Sequence, residues 1–428
     1  EGGQGEGKGG GKKEKKARAF DWSNSYRRQV ALQFSYVGWD HMGFASQEST
    51  ENTVEEHLFK AMFKTCLLEN KDRACYSRCA RTDKGVSAMC NVVSIRLRSK
   101  RTKGLGVVPP EGPHEMSEEC KDRAYWLGRE VGEEHCGCTD EDLEEELPYV
   151  SMINSVLPPT IRVIAWCPVI PSFNARFACR ARRYHYFFVR GDLDVSSMRE
   201  AAKLLVGEHD FRHLCKVDPS KPNMTFVRRI LRFDIGPAPG SSLQGSNIND
   251  TFVMDVEASA FLWHQVRAMA AVLMSCGRGD ITPSQVGSIV DLSQCKAKPH
   301  YMIATDDALV LHSVLFPNDL VRFRPEFAAH ARTNSVVEGM CAQQCARAAL
   351  VRGMLEGMQQ REVSVTSKDK PRHKKGQAAA SAAGSGEEPP QDRHGSSRVL
   401  FSEIARDKVI AFAPVAAGSV VVFHDGHG

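Results

Sequence analysis

The sequence predicts an α+β protein built on antiparallel sheets. Two ordered blocks, about 26–98 and 148–330, each interleave β-rich runs with amphipathic helical stretches. The second block repeats the layout of the first, which would leave a cleft between two units of similar design. Apolar residues make up 42% and charged residues 25% of the 428-residue chain, enough for a sizeable buried core.

In the first block, Arg28 to Trp39 reads as a strand and Asp40 to Gly43 as a turn. Thr53 is a helix N-cap, with Glu56 three residues on completing a capping box. Val54, Leu58, Phe59, Met62, Phe63, Cys66 and Leu67 follow at spacings of three and four, an apolar stripe. Met89 to Leu97 alternates as a strand. In the second block, Ile161–Val169, Arg183–Val189, Phe226–Ile235, Thr251–Ala260 and Ala308–Phe316 read as strands. Met198 to Val206 is a helix that Gly207 can close, and Trp263 to Cys276 is a helix ended by Gly277. Thr282-Pro283 opens another, with Thr as cap and Pro at the first position.

Irregular segments surround these blocks. Residues 1–25 form a Gly/Lys-rich tail whose KKEKK run reads as a nuclear address, an RNA-touching arm or a solvated tail. Residues 99–147 read as an acidic surface insertion. A helical extension over 331–366, a low-complexity linker over 367–397 and an apolar segment of unassigned role over 398–428 complete the chain.

Charge is the first functional hint. Residues 111–147 hold fourteen Asp and Glu against three Lys and Arg, a net of −11, so the remainder carries 4 + 11 = +15. A body that basic suits a polyanion, nucleic acid first. No apolar run is long enough for a membrane helix, and the first residues lack the apolar core of a secretory signal. The fourteen cysteines then read as reduced thiols of a nuclear or cytoplasmic protein, with a mitochondrial address left open. GxxxxGK[ST], GxGxxG after a strand and HExxH do not occur, so nucleotide hydrolysis, dinucleotide chemistry and zincin proteolysis lack support. Cys136-Gly-Cys138 beside His135, with Cys120 upstream, is the only metal-like cluster, and it lacks a second ligand pair at zinc spacing. The Cys75–Cys79 and Cys341–Cys345 pairs read as packing cysteines.

Three segments carry candidate chemistry. In Arg81-Thr82-Asp83-Lys84-Gly85-Val86-Ser87, one carboxylate sits between cations in a glycine-permitted turn. Neighbouring cations favour an ionised acid, which can attack a carbon electrophile; an ordinary turn in which Asp83 caps amides fits the same residues. In Phe173 to Arg190, Arg176, Arg180, Arg182, Arg183 and Arg190 alternate with aromatics. Arginines bind phosphate and aromatic faces stack on unpaired bases, or the run is a half-buried strand with a solvated arginine face. Strand alternation sets Tyr184 and Tyr186 on one face, His185 and Phe187 on the other. Lastly, Phe261-Leu262-Trp263-His264-Gln265-Val266-Arg267 leads into an apolar helix, where a lone Arg267 needs an anionic partner and His264 reads as structural.

Together these segments resemble the TruA family of tRNA pseudouridine synthases, and most closely its eukaryotic branch acting on uridines 38 and 39. YVGWDHMGFASQ, ARTDKGVSA, PSFNARFACRARRYHYFF, VGEHDFRHLCK and FLWHQVRAMAAVL carry the match, over about 26–330. The resemblance implies two ferredoxin-like (RRM-like) α/β domains, their mainly antiparallel sheets joined side by side around a basic cleft. It implies catalysis without cofactor or metal on the tRNA anticodon stem-loop, and leaves a homodimer open. It makes Asp83 the essential aspartate and Arg81 its neighbour in the motif. Tyr184 becomes the tyrosine that packs on the target base, and Arg267 the partner of Asp83. Lys84, Arg176, Arg180, Arg182 and Arg183 become candidate tRNA contacts. Ala80, His185 and Trp263 depart from the commoner residues of the family, beside the matched positions.

Overall fold

The computed structural model describes residues 20–112, 118–127, 144–220, 222–239, 250–317 and 320–364. The metal-like cluster at Cys136 and Cys138, most of the acidic run, the KKEKK tail and the segments beyond 364 lie outside the described residues.

The fold is mixed α+β around one large, mostly antiparallel sheet. Its strands are β1 (Arg27–Tyr36), β2 (Ser77–Arg78), β3 (Ser87–Arg98), β4 (Val107–Val108), β5 (Ile161–Pro168), β6 (Ala181–Val189), β7 (Gly207–Asp210), β8 (Val227–Pro237), β9 (Thr251–Ala258) and β10 (Leu309–Leu315). The main path runs β4-β1-β3-β10-β6-β9-β8-β7; β5 pairs with β1 and β2 with β3. The helices are α1 (Val54–Lys64), α2 (Arg123–Leu127), α3 (Tyr149–Asn154), α4 (Val195–Leu204), α5 (Gln265–Gly277), α6 (Pro283–Ile289) and α7 (Phe327–Ser364).

Two neighbourhoods share this sheet. Alternate residues of β1, Val30, Leu32, Phe34 and Tyr36, point into a core with Leu58 and Met62 of α1 and Tyr149 and Ile153 of α3. On the other side of the seam, Tyr186 and Phe188 of β6 meet Met198 and Ala202 of α4, and Met269 and Leu273 of α5. The seam itself is parallel: β10 pairs with β3 through Val310↔Ser87 and Leu311↔Ala88. The 148–330 block of the sequence is therefore shared, because its first strand, β5, runs antiparallel to β1 from Val30↔Pro168 to Tyr36↔Ile161.

Local chemistry explains several boundaries. Thr53 caps α1 by accepting from the Glu56 amide at 3.3 Å, but the box stays half-made: the Glu56 carboxylate turns to Lys71, 2.9 Å away. At α6 the box is complete, Thr282 and Gln285 bonding each other's amides at 3.3 and 2.8 Å. Asp194 caps α4, which starts three residues ahead of the expected Met198. Gly207, expected to close that helix, instead opens β7 with φ of +110°. Glu326, just before α7, accepts from the first free amides of α3, Val150 and Ser151, at 2.9 and 3.1 Å.

The insertion is more than a surface loop. Its 118–127 stretch sets Trp126 (1% exposed) and Cys120 on the sheet face opposite α1, beside Phe173 and Val92. The Trp126 indole donates to the Cys120 carbonyl at 2.9 Å, which satisfies its one polar atom. At the far end Glu146 is buried against Arg28 (3.2 Å) and accepts from Ser99 at 2.7 Å. Acidic composition pointed outward; one tryptophan and one buried ion pair pull both described ends in.

The face of β6 opposite Tyr186 holds a charged cluster. Arg183 grips Asp255 of β9 through two bonds of 2.6 and 2.5 Å, and Arg232 of β8 adds a third at 2.6 Å. His185 stacks on His312 of β10 with ring centroids 4.0 Å apart. Burial, with His185 and Arg183 beside it, pushes the His312 imidazole from 6.5 down to about 4.

Trp126→Ala should cost about 3 kcal/mol of stability, read as a lowered midpoint in denaturant; an unchanged midpoint would contradict the docked insertion. Because His312 binds its proton more readily unfolded than folded, its contribution to stability should fall as pH drops from 6.5 towards about 4. His312→Phe should flatten that part of the curve, measured by denaturant titration at several pH values.

Candidate active site

The turn that carries Asp83 is wedged into the sheet. It leaves β2 at Arg78 and enters β3 at Ser87. Thr82 is buried, its hydroxyl 2.7 Å from that of Tyr36, and its carbonyl accepts from the Phe44 amide at 3.1 Å. Gly38 packs so closely that a Cβ there would lie 2.0 Å from the Val86 carbonyl oxygen. Gly85 turns the chain at φ +79°, and a Cβ on it would lie 2.9 Å from the Asp306 carboxyl carbon. Backbone on both sides of Asp83 is thus fixed while its side chain, 34% exposed, looks into a cleft.

That cleft, about 1040 Å³, lies at the seam between the two neighbourhoods. Asp83 and Tyr184 both line it, so the structure brings these two sequence candidates together. Tyr184 leaves β6 on the same face as Tyr186 and packs edge-on against Phe261, at 5.1 Å and 88°. Burial pushes its phenol well up, so it is a neutral aromatic platform. Arg81 and Lys84 are exposed on the cleft wall, one on each side of the Thr82-Asp83 pair.

The Asp83 carboxylate has two close partners. The Trp263 indole N–H donates to Oδ1 at 3.1 Å, and Nε2 of His264 lies 3.6 Å from Oδ2. Burial raises the carboxyl above the ordinary aspartate range, while His264, Arg267 and the Trp263 bond draw it back and Asp306 pushes it up again. Arg267, expected as the direct partner, is turned elsewhere. Its Nε donates to the Ala304 carbonyl at 2.7 Å and its Nη1 lies 3.8 Å from Asp306, so it acts on Asp83 through its field.

In the arginine run, Arg176 and Arg180 precede β6, and strand alternation separates Arg182 from Arg183. Arg176 and Arg182 line the cleft. Arg182 is also a clamp, donating to the carbonyls of Ser259, Cys79 and Arg176 at 3.0–3.1 Å. Arg183, one residue on, lies across the sheet in the Asp255 cluster, away from the cleft. Arg180 is exposed but does not line the cleft; its carbonyl accepts from Arg123 at 3.0 Å.

Sequence reasoning missed several lining residues. Arg123 reaches the cleft from the insertion, donating also to the Ser259 carbonyl at 3.2 Å. Arg78 enters from β2, held by the buried Glu55 at 2.6 Å, and Arg228 from β8. The Trp263-His264 pair was visible as residue types, but the left-handed backbone of His264, φ 61° and ψ 9°, had no signal in the sequence. Among the described residues no group of three or more His, Cys, Asp and Glu is placed to hold a metal ion.

Comparisons with known proteins bear on the family. A family model described as tRNA pseudouridine synthase matches residues 201–317, the part that contains Arg267. The human tRNA pseudouridine(38/39) synthase is 38% identical over 347 residues, 80% of this chain and 66% of that protein. The yeast protein of the same name is 36% identical over 72% of this chain and 61% of its own length. The chain spans only 59–66% of the length of its human, bovine and mouse relatives. A probable tRNA pseudouridine synthase of Caenorhabditis elegans is 34% identical over 80% of this chain and 81% of its own length. With a relative matched across so much of both sequences, the chain belongs to the TruA-type family of tRNA pseudouridine synthases.

Proposed function

We propose that this chain isomerises uridine to pseudouridine in the anticodon stem-loop of tRNA, at positions 38 and 39. The observation that carries the reading is the single fixed carboxylate, Asp83, in a cleft that it shares with the Tyr184 ring. Seven arginines and lysines line that cleft against two aspartates, a balance suited to a phosphate backbone. The human and yeast relatives, both tRNA pseudouridine(38/39) synthases, supply the two positions.

On this reading the two neighbourhoods on either side of the β3–β10 seam are the two ferredoxin-like halves, and the cleft between them receives the RNA. A uridine in a stem must leave its stack, at a cost of about a few kcal/mol. Arg81, exposed on the wall, helps to open and fill the gap. Asp83 in its ionised form starts the break of the N1–C1′ bond, by attack at C1′ or by taking a proton from the sugar. Tyr184 packs on the freed uracil and keeps it in place while it turns. C5 then bonds to C1′ as the Asp83–C1′ bond breaks or the sugar regains its proton from Asp83; the C5 proton leaves to water and N1 ends protonated, so the product is an isomer. Lys84, Arg176, Arg182, Arg123 and Arg228 serve the phosphates. Arg183 is committed to Asp255 and takes no part.

Purified protein given tRNA tritiated at uracil C5 should release label to water. Asp83→Ala should lower that rate at least about a thousandfold while tRNA binding persists; release from neither protein would leave an RNA binder, and equal release from both would remove Asp83 from the chemistry. Affinity for tRNA should fall about a hundredfold between roughly 50 and 200 mM salt, measured by filter binding, and a flat salt dependence would contradict phosphate contacts in the cleft.

A further inference from the structure

We infer that Trp263 is a positioning residue for Asp83: its indole N–H holds one carboxylate oxygen, with His264 at the other, so the acid meets the nucleoside in one orientation. The inference rests on the proposed isomerase reading and adds to it a residue that stands where the family's usual partner, Arg267, does not reach.

Three observations carry it. The first is the contact itself: Trp263 Nε1 donates to Asp83 Oδ1 at 3.1 Å, although the ring is 40% exposed and water was available to it. The second is how firmly the tryptophan is held. Its carbonyl accepts from the Lys216 amide at 2.8 Å, and the Lys216 ammonium stands 4.3 Å above its ring. The third is the strained backbone beside it. His264 occupies the left-handed region without being glycine, a conformation that surrounding structure must impose. The imposing bonds are visible: Gln265, 1% exposed, accepts from the Leu262 amide through its side chain at 2.8 Å and donates to the Leu262 carbonyl at 3.1 Å. That turn, ahead of α5, aims two consecutive rings at one carboxylate.

The electrostatic role is specific. Burial favours the protonated, inert form of Asp83, and the indole N–H opposes it by bonding only the ionised form usefully. The charged and titratable groups facing this pair are Asp306 from the loop before β10, Lys216 from the loop after β7, Tyr184 from β6, and His264 and Arg267 at the head of α5. Burial lowers the imidazole of His264 below its ordinary value, so its charge, and the help it gives Asp83, fades as pH rises, while the indole bond depends on no proton of its own.

The test compares full-length wild type, Trp263→Phe and Trp263→His in tritium release from tRNA across pH. Trp263→Phe keeps the ring and loses the donor; kcat should drop about tenfold with KM within about twofold, and the acid limb of kcat/KM should move to higher pH. Trp263→His, which regains a ring N–H, should recover part of both. In 15N-tryptophan-labelled wild type, one indole N–H signal should titrate with the acid limb and stop titrating in Asp83→Asn, a readout that does not need Trp263→Phe to fold. A rise in KM alone, an unmoved acid limb in a folded variant, or no titrating indole signal would overturn the positioning role. Each of those with Asp83→Ala inactive leaves the isomerase reading standing; release surviving in Asp83→Ala removes Asp83 from the chemistry.

Discussion

A carboxylate in a half-buried cleft tends to take up a proton, and the arrangement around Asp83 is organised against that tendency. Burial raises it, a neighbouring Asp306 raises it further, and the opposing influences come from His264, Arg267 and Trp263. None of the three lies on the element that carries the acid. The carboxylate belongs to the β2–β3 turn, and its partners to the entrance of α5, some 180 residues later in the chain. The ionised state of Asp83 therefore depends on the two halves of the sheet staying in register.

That register is set at a short parallel contact. β3 and β10 pair at two positions, and one of them, Ser87, follows the Asp83 turn within four residues. Parallel pairing requires a long crossover, here everything from Ser99 to Ala308. The same crossover delivers Tyr184 on β6, next to β10, and the α5 entrance behind it. A seam at the middle of a continuous sheet costs no exposed edge, so the cleft can open above it without leaving unpaired backbone beneath.

The sequence disclosed what short-range chemistry decides. Thr282 caps α6 and Pro283 opens it as their adjacency predicts, because both act within one turn; the Thr282–Gln285 box was not foreseen, and the box foreseen at Thr53 loses Glu56 to Lys71. The alternation of β6 was also readable, setting Tyr184 apart from His185. The same alternation separates Arg182 from Arg183, yet charge had grouped them; Asp255, seventy residues away, claims the second. The insertion misled in a similar manner. Its composition is dominated by acid, but Trp126 and Glu146 decide where its described ends go, through partners in Phe173 and Arg28 that no local pattern names. Long-range pairing of charge and packing is the part a single sequence conceals.

Arg267 makes the same point at the site. An arginine at the head of a buried helix must find an anion or several carbonyls, and family resemblance nominated Asp83. In this chain Asp306 stands close to Gly85 and Arg267 alike, and the guanidinium settles on the Ala304 carbonyl with Asp306 as its nearest carboxylate. With Arg267 drawn to Asp306 and the Ala304 carbonyl, the side-chain hydrogen bond to the Asp83 carboxylate comes from a neutral donor, the Trp263 indole. A neutral donor has one advantage in a cleft lined by cations: it holds the carboxylate without forming an ion pair that an incoming anion would compete to break. The left-handed turn at His264 is what makes that solution available, since a helical residue there would carry the indole away from the acid.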